Sequence, residues 1–242
     1  MTNEEVYQYE GQIMLRRLGI TPEHPDYLYF VESISMALED DSRLQWVIKS
    51  IYQEIAAHHG VYGWKVERNL RRGVDEIWEN NSLLVKAVLE YPFDEKPTVS
   101  QFIGYAAGKI SEKIYRQEHP NMSEGEKHVW AAERLLRRMG ITARYTGYHY
   151  YAEEISMLMD DNDRLTWITK TVYPEIAANH NTTAMCVERD LRIIINVIWT
   201  RDPELFKEVV NYWGDIRPTT REFLECAVRI LSEQEKRRRQ EP

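Results

Sequence analysis

Lys65, Arg68, Arg71 and Arg72 stand three and four residues apart in the stretch Trp64-Lys65-Val66-Glu67-Arg68-Asn69-Leu70-Arg71-Arg72. An arginine side chain ends in a rigid planar fork of donors that can meet two acceptors at once, as phosphate oxygens or a guanine edge offer them. On a helix this spacing collects the four cations on one face, away from Val66 and Leu70. The chemistry on offer is therefore recognition of an anionic, hydrogen-bonding surface rather than bond making.

Such a helix needs a mount, and the residues before it supply one. In residues 52–71, Ala56, Gly60 and Val66 occupy the fifth, ninth and fifteenth places of a helix-turn-helix unit. A small residue allows the two helices to cross closely, the turn residue takes a positive φ, and the branched residue packs inward. Ala177, Asn181 and Val187 repeat the set. In the second unit Arg189 and Arg192 match Arg68 and Arg71, Glu188 matches Glu67, Cys186 replaces Lys65 and Ile193 replaces Arg72. Thr182 and Thr183 precede that helix, where hydroxyls can cap it and touch phosphate.

The correspondence extends over the whole chain. Arg16-Arg17-Leu18-Gly19-Ile20-Thr21 recurs as Arg137-Arg138-Met139-Gly140-Ile141-Thr142, and the same gapless offset aligns Glu54-Ile55-Ala56-Ala57 with Glu175-Ile176-Ala177-Ala178 and Pro97-Thr98 with Pro218-Thr219. Roughly two positions in five are identical. A period this long describes two domains, expected at residues 1–119 and 122–242, rather than a solenoid of small repeats. Capping boxes are expected at Thr2/Glu5 and Ser123/Glu126, and again at Thr98/Gln101 and Thr219/Glu222. The apolar period predicts first helices over about Asn3–Leu18 and Glu124–Met139, ending at Gly19 and Gly140, and a second over Tyr27–Glu39. Leu44, Val47, Ile48 and Ile51 continue the helical period, and no alternating run signals a strand. The expected class is all-α. Trp46, Trp167, Trp78 and Trp199 sit at equivalent places, which predicts core positions for them.

Composition narrows the function. The chain has 242 residues and a net charge of −8, with 13 Lys/Arg against 19 Asp/Glu in residues 1–120 and 18 against 20 thereafter. A phosphate-binding reading thus requires local basic clusters. No apolar run approaches the roughly 20 residues of a membrane span, and the polar, acidic start resembles no export signal; a cytoplasmic setting is expected. His58-His59 with Glu54 lacks the His-Glu-x-x-His spacing of a metal site, and Asn179 stands in place of His58 in the other copy. Cys226 lies among apolar residues and reads as a buried thiol. No phosphate loop or nucleophile elbow is present. Neither an enzyme, nor a cofactor, nor a metal site is expected.

Tyr173-Pro174-Glu175-Ile176-Ala177, Asn181-Thr182-Thr183-Ala184 and Val187-Glu188-Arg189, with Gly147-Tyr148-x-Tyr150 and Lys96-Pro97-Thr98-Val99-Ser100-Gln101-Phe102, resemble the DNA-binding effector domain of the sporulation master regulator, the stage zero sporulation protein A family. The resemblance covers essentially the whole chain, twice. It implies a bundle of about six helices per copy, double-stranded DNA as partner, and base or phosphate contacts by Glu67, Arg68, Arg71, Glu188, Arg189 and Arg192. Lys65 stands where the family has an arginine, and Trp64 and Met185 where it has a serine. Lys96 and Arg217, equivalent to each other, join Lys65, Arg72, Thr182 and Thr183 as expected DNA-facing residues. The family's receiver domain has no counterpart here, so control by aspartyl phosphorylation is not implied. The expected activity is sequence-specific DNA binding by a transcriptional regulator whose one chain, an internal pseudo-dimer, reads two half-sites. RNA polymerase or a related regulator stands as a further partner. The alternative is a protein-interaction module or antagonist derived from a DNA-binding domain.

Overall fold

A computed structural model describes residues 2–240, and every regular element among them is helical. The chain divides into two compact units: residues up to Pro120 together with Thr142–Arg144, and Asn121–Ile141 together with Tyr145 onward.

In the first unit α1 (Asn3–Arg17) packs on α2 (Tyr27–Glu39); a 3₁₀ turn over Asp41–Trp46 and a π turn over Ile48–Tyr52 lead into α3 (Gln53–His58); then come α4 (Gly63–Leu89) and α5 (Val99–Glu118). The second unit runs α6 (Glu124–Arg138), α7 (Gly147–Asp160), a 3₁₀ turn over Asn162–Trp167, α8 (Ile168–Asn179), α9 (Ala184–Arg201), α10 (Pro203–Val210) and α11 (Thr220–Gln240). The apparent difference in helix number is small. Inside α4, Asn81 leaves helical geometry (φ −160°, ψ 76°) and accepts a hydrogen bond from the Leu84 amide, 2.9 Å. Asp202, its equivalent, breaks α9 from α10 in the same way and accepts from Leu205, 2.9 Å. Each copy is thus a six-helix bundle, with the helix that follows the helix-turn-helix turn broken in two before the last helix.

Local chemistry sets these limits. All four capping boxes form: a hydroxyl and a carboxylate, or the Gln101 carboxamide oxygen, accept from reciprocal backbone amides at Thr2/Glu5, Thr98/Gln101, Ser123/Glu126 and Thr219/Glu222. Gly19 and Gly140 end the first helices at φ +83° and +86°, a region other residues enter at a cost. The core of the first unit gathers Leu15, Phe30, Ile34, Ile55, Leu70, Phe102 and Tyr105; that of the second gathers Leu136, Tyr151, Ile155, Ile176, Leu191, Phe206 and Phe223.

Two expectations fail at the short turns that precede the helix-turn-helix. Trp46 and Trp167 are 67% and 57% exposed rather than core, and Ile48 is 58% exposed. Leu44, Val47 and Ile51 face inward at the i, i+3, i+7 spacing of an ordinary helical stripe, and Trp46, two residues after Leu44, falls on the opposite side, as Trp167 does after Leu165. Trp78 and Trp199 are half-buried and pack edge-on against Tyr91 and Tyr212.

Candidate nucleic-acid interface

The two helices of each helix-turn-helix cross where the small residues allow it. Ala56 and Val66 are buried in the first unit, Ala177 and Val187 in the second, and the turns pass through Gly60 (φ +61°) and Asn181 (φ +50°). The leading helix is held from both sides by polar clamps that recur in both copies. Glu32 on α2 takes His58 and His59 at the end of α3, and Glu153 on α7 takes Asn179 and His180 at the end of α8. This turns both His58 and His59 to a structural carboxylate. Arg43 grips Glu54 at 2.8 Å, and Arg164 grips Glu175. Thr183 caps α9 by accepting from the Cys186 amide at 3.2 Å, with Thr182 half-buried in the turn beside it. Tyr62, its counterpart, caps α4 with no side-chain bond.

The cations then fall into three groups. Arg68 is exposed, and its guanidinium lies over the Trp64 ring, 5.3 Å from the centroid. That contact orients the fork without occupying its donors in an ion pair. Its trace in the sequence is the one-turn spacing of Trp64 and Arg68. Arg189 has Met185 at the matching place and instead donates its Nε to neighbouring Asp190, 2.9 Å.

Arg71 and Arg192, 67% and 70% exposed, pair with Glu67 at 2.6 Å and Glu188 at 2.5 Å, one turn back on the same helix. Such surface pairs contribute about 0.3–0.5 kcal/mol, so a phosphate or base can claim the arginine cheaply. One turn further on, Lys96 pairs with Asp75, and Arg217 donates to Asn196 at 2.7 Å. The loop before the last helix is therefore tied to the recognition helix in both copies, which brings Lys96 and Arg217 alongside it. With half-buried Lys65, the first site sets four cations against Glu67 and Asp75; the second sets Arg189, Arg192 and Arg217 against Glu188 and Asp190. Both are locally positive on a chain of net charge −8.

Arg72 makes a contact that its spacing does not announce. It reaches Asp26 at 2.6 Å and lies 3.6 Å from Glu76, and the Asp26 side chain is only 1% exposed. A buried carboxylate without its partner is costly, so Arg72 serves as an anchor between α4 and the start of α2. The only trace in the sequence is that both partners change together: Gly147 and Ile193 stand in the second copy for Asp26 and Arg72. Gly147 has to be small there, since a Cβ would lie 2.8 Å from the Asp190 carbonyl oxygen. Arg72→Ile alone should therefore destabilise the first unit by about 1–3 kcal/mol, and Asp26→Gly added to it should recover part of the loss. A double-mutant cycle by urea denaturation measures the coupling; additive losses would show that Arg72 does not compensate the Asp26 charge.

The family model described as sporulation initiation factor Spo0A C terminal matches this chain twice, over residues 12–110 and 132–231. Each match contains one complete helix-turn-helix with its flanking clamps.

Proposed function

The chain belongs to the sporulation initiation factor Spo0A C-terminal family, present here in two copies, and on that premise we propose that it binds double-stranded DNA sequence-specifically, as a transcriptional regulator that reads two half-sites with one polypeptide. The observation that carries the reading is the repeated placement of Arg68 and Arg71, and of Arg189 and Arg192, on the exposed side of the second helix of a clamped helix-turn-helix. A helix so presented fits the major groove, where arginine discriminates guanine by about 1–3 kcal/mol per bidentate contact. Thr182, Thr183, Lys96 and Arg217 stand beside it as phosphate contacts that fix register. The two copies share a tether, so each raises the effective concentration of the other at its half-site.

Selection from random duplex DNA tests this. The expected result is a paired motif with centres about one helical turn apart or a multiple of it; recovery of no motif, or of a single unpaired one, rejects the two-site reading. Arg189→Ala should weaken binding to the selected site by a smaller factor than the matching change in the first copy, because Arg189 shares its Nε with Asp190 and has no ring beneath it. Gel-shift titration of the two variants ranks them, and an equal or reversed order contradicts the assignment.

A second reading is favoured by one feature. Tyr62, Trp64 and Met185 are exposed at the heads of the recognition helices, as a protein-binding surface would require. Salt separates the two: affinity for DNA falls with a log–log slope of about −0.9 per phosphate neutralised, whereas an apolar protein contact is nearly indifferent.

A further inference from the structure

We propose that the second unit holds one divalent transition-metal ion of the zinc class between α6 and α11, with Glu124, the Nε2 of His128 and Glu235 as protein ligands. Glu124 and His128 stand one turn apart on α6, and α11 brings Glu235 to them; the potential ligand atoms all lie within 4.8 Å of one another. The imidazole is the decisive group. His128 is only 8% exposed, and its Nε2 is buried without a hydrogen-bond partner. The nearest carboxylate oxygen, on Glu235, is 3.4 Å away. Its other nitrogen, Nδ1, meets Asp160 at 2.9 Å. A carboxylate behind one ring nitrogen while the other faces further carboxylates is how a metal-binding histidine is oriented and its tautomer set.

The donor set selects the ion. One imidazole and two carboxylates suit zinc, cobalt or a similar borderline ion; calcium and magnesium prefer all-oxygen shells, and copper(I) prefers sulfur. With ligand bonds of about 2.0–2.1 Å, tetrahedral ligand atoms stand about 3.4 Å apart, so the widest pair must close by little more than about 1 Å. A fourth position is left for water. The cluster is not demanded by the fold, because the equivalent residues of the first copy are Asn3, Tyr7 and Ile114. A cation already visits this place: Arg239 lies 2.5 Å from Glu235 and 3.3 Å from Glu124, and Lys127 is 2.7 Å from Glu124. A bound dication would replace Arg239 there and fasten the C-terminal helix to α6. The sequence shows no metal motif because its two ligand segments lie at opposite ends of the copy.

The full chain, stripped with chelator, is titrated with Co(II) by visible absorption and with Zn(II) by calorimetry. Expected are one equivalent bound with the d–d bands of a tetrahedral site, affinity at least tenfold weaker in Glu235→Gln and Glu124→Gln, and a similar loss in Asp160→Asn. Arg239→Ala removes the competing cation and should tighten binding. The two glutamates are not fully buried, so their variants keep the test open where His128→Gln perturbs folding. The proposal is overturned by absence of saturable binding, by wild-type affinity in both glutamate variants, or by an Arg239→Ala chain that loses thermal stability without gaining metal affinity, which marks a plain ion-pair network.

Discussion

Arg68→Ala should lower affinity for the selected duplex by about tenfold or more while leaving the melting temperature of the protein unchanged. The size follows from losing one bidentate contact, about 1–3 kcal/mol. The unchanged stability follows from the side chain's place: it is exposed and rests on the Trp64 ring, with no buried partner to orphan. Trp64→Ala should reproduce part of the loss, since an arginine without its platform must be ordered at the moment of binding. Arg72→Ala gives the converse pattern. It strands Asp26, so the first unit loses stability, and DNA affinity measured well below the melting transition stays near wild type. Binding isotherms and thermal melts of both variants decide the matter. Loss of affinity by Arg72→Ala in a fully folded chain would restore Arg72 to the DNA-facing set, and indifference to Arg68→Ala would remove the first recognition helix from the groove.

The second large effect concerns pH. Glu154 on α7 is fully buried, and neither carboxylate oxygen has a hydrogen-bond partner. Burial pushes its carboxyl well above the ordinary value of 4.5, and the same burial raises the neighbouring Tyr151 and Tyr173 phenols. The sign of the consequence is fixed. Above the ordinary value the unfolded chain has released this proton and the folded chain keeps it, so stability is greatest at low pH. It declines by up to about 1.4 kcal/mol per pH unit until the folded group itself ionises, and is flat beyond that. Glu154→Leu should remove this contribution and stabilise the second unit near neutrality by about 1–3 kcal/mol, the cost of a buried unsatisfied polar group. Calorimetry of wild type and variant across pH 4–8 shows the difference widening as pH rises. A constant difference, or a less stable variant, would mean that Glu154 is solvated or paired in solution. The first copy has Ser33 at this place, so Glu154→Ser tests the same point with a residue the scaffold already accommodates.

Much of the fold was legible before any coordinates. Capping boxes, positive-φ glycines and the helical apolar period act within a few residues, so α2 begins and ends where its pattern predicts, and α1 and α6 end within a residue of their predicted stops. The outward Trp46 and Trp167 follow from the Leu44–Val47–Ile51 stripe, on whose far side they lie; ring size alone argues for burial, but position relative to the stripe decides it. Within the candidate site, the helix-turn-helix triplets and the exposed arginine pairs came from spacing alone. The division of labour among those arginines did not. A cation's role depends on what lies beneath it, and for Arg68 that is a ring one turn back, while for Arg72 it is a carboxylate 46 residues earlier.

Sequence by itself determined that one helical domain occurs twice and which helix of each copy carries the cations, since periodicity, caps and self-similarity are local or directly comparable properties. Tertiary structure decided which cations are free to leave the protein surface, where a histidine meets carboxylates from another helix, and which of two packed helices yields. Gly73 on α4 makes room for Phe30 in the first unit, whereas Gly147 on α7 makes room for the backbone of α9 in the second. These outcomes turn on side chains distant in the chain competing for one volume and one set of charges, and no pattern along a single strand of residues encodes the winner.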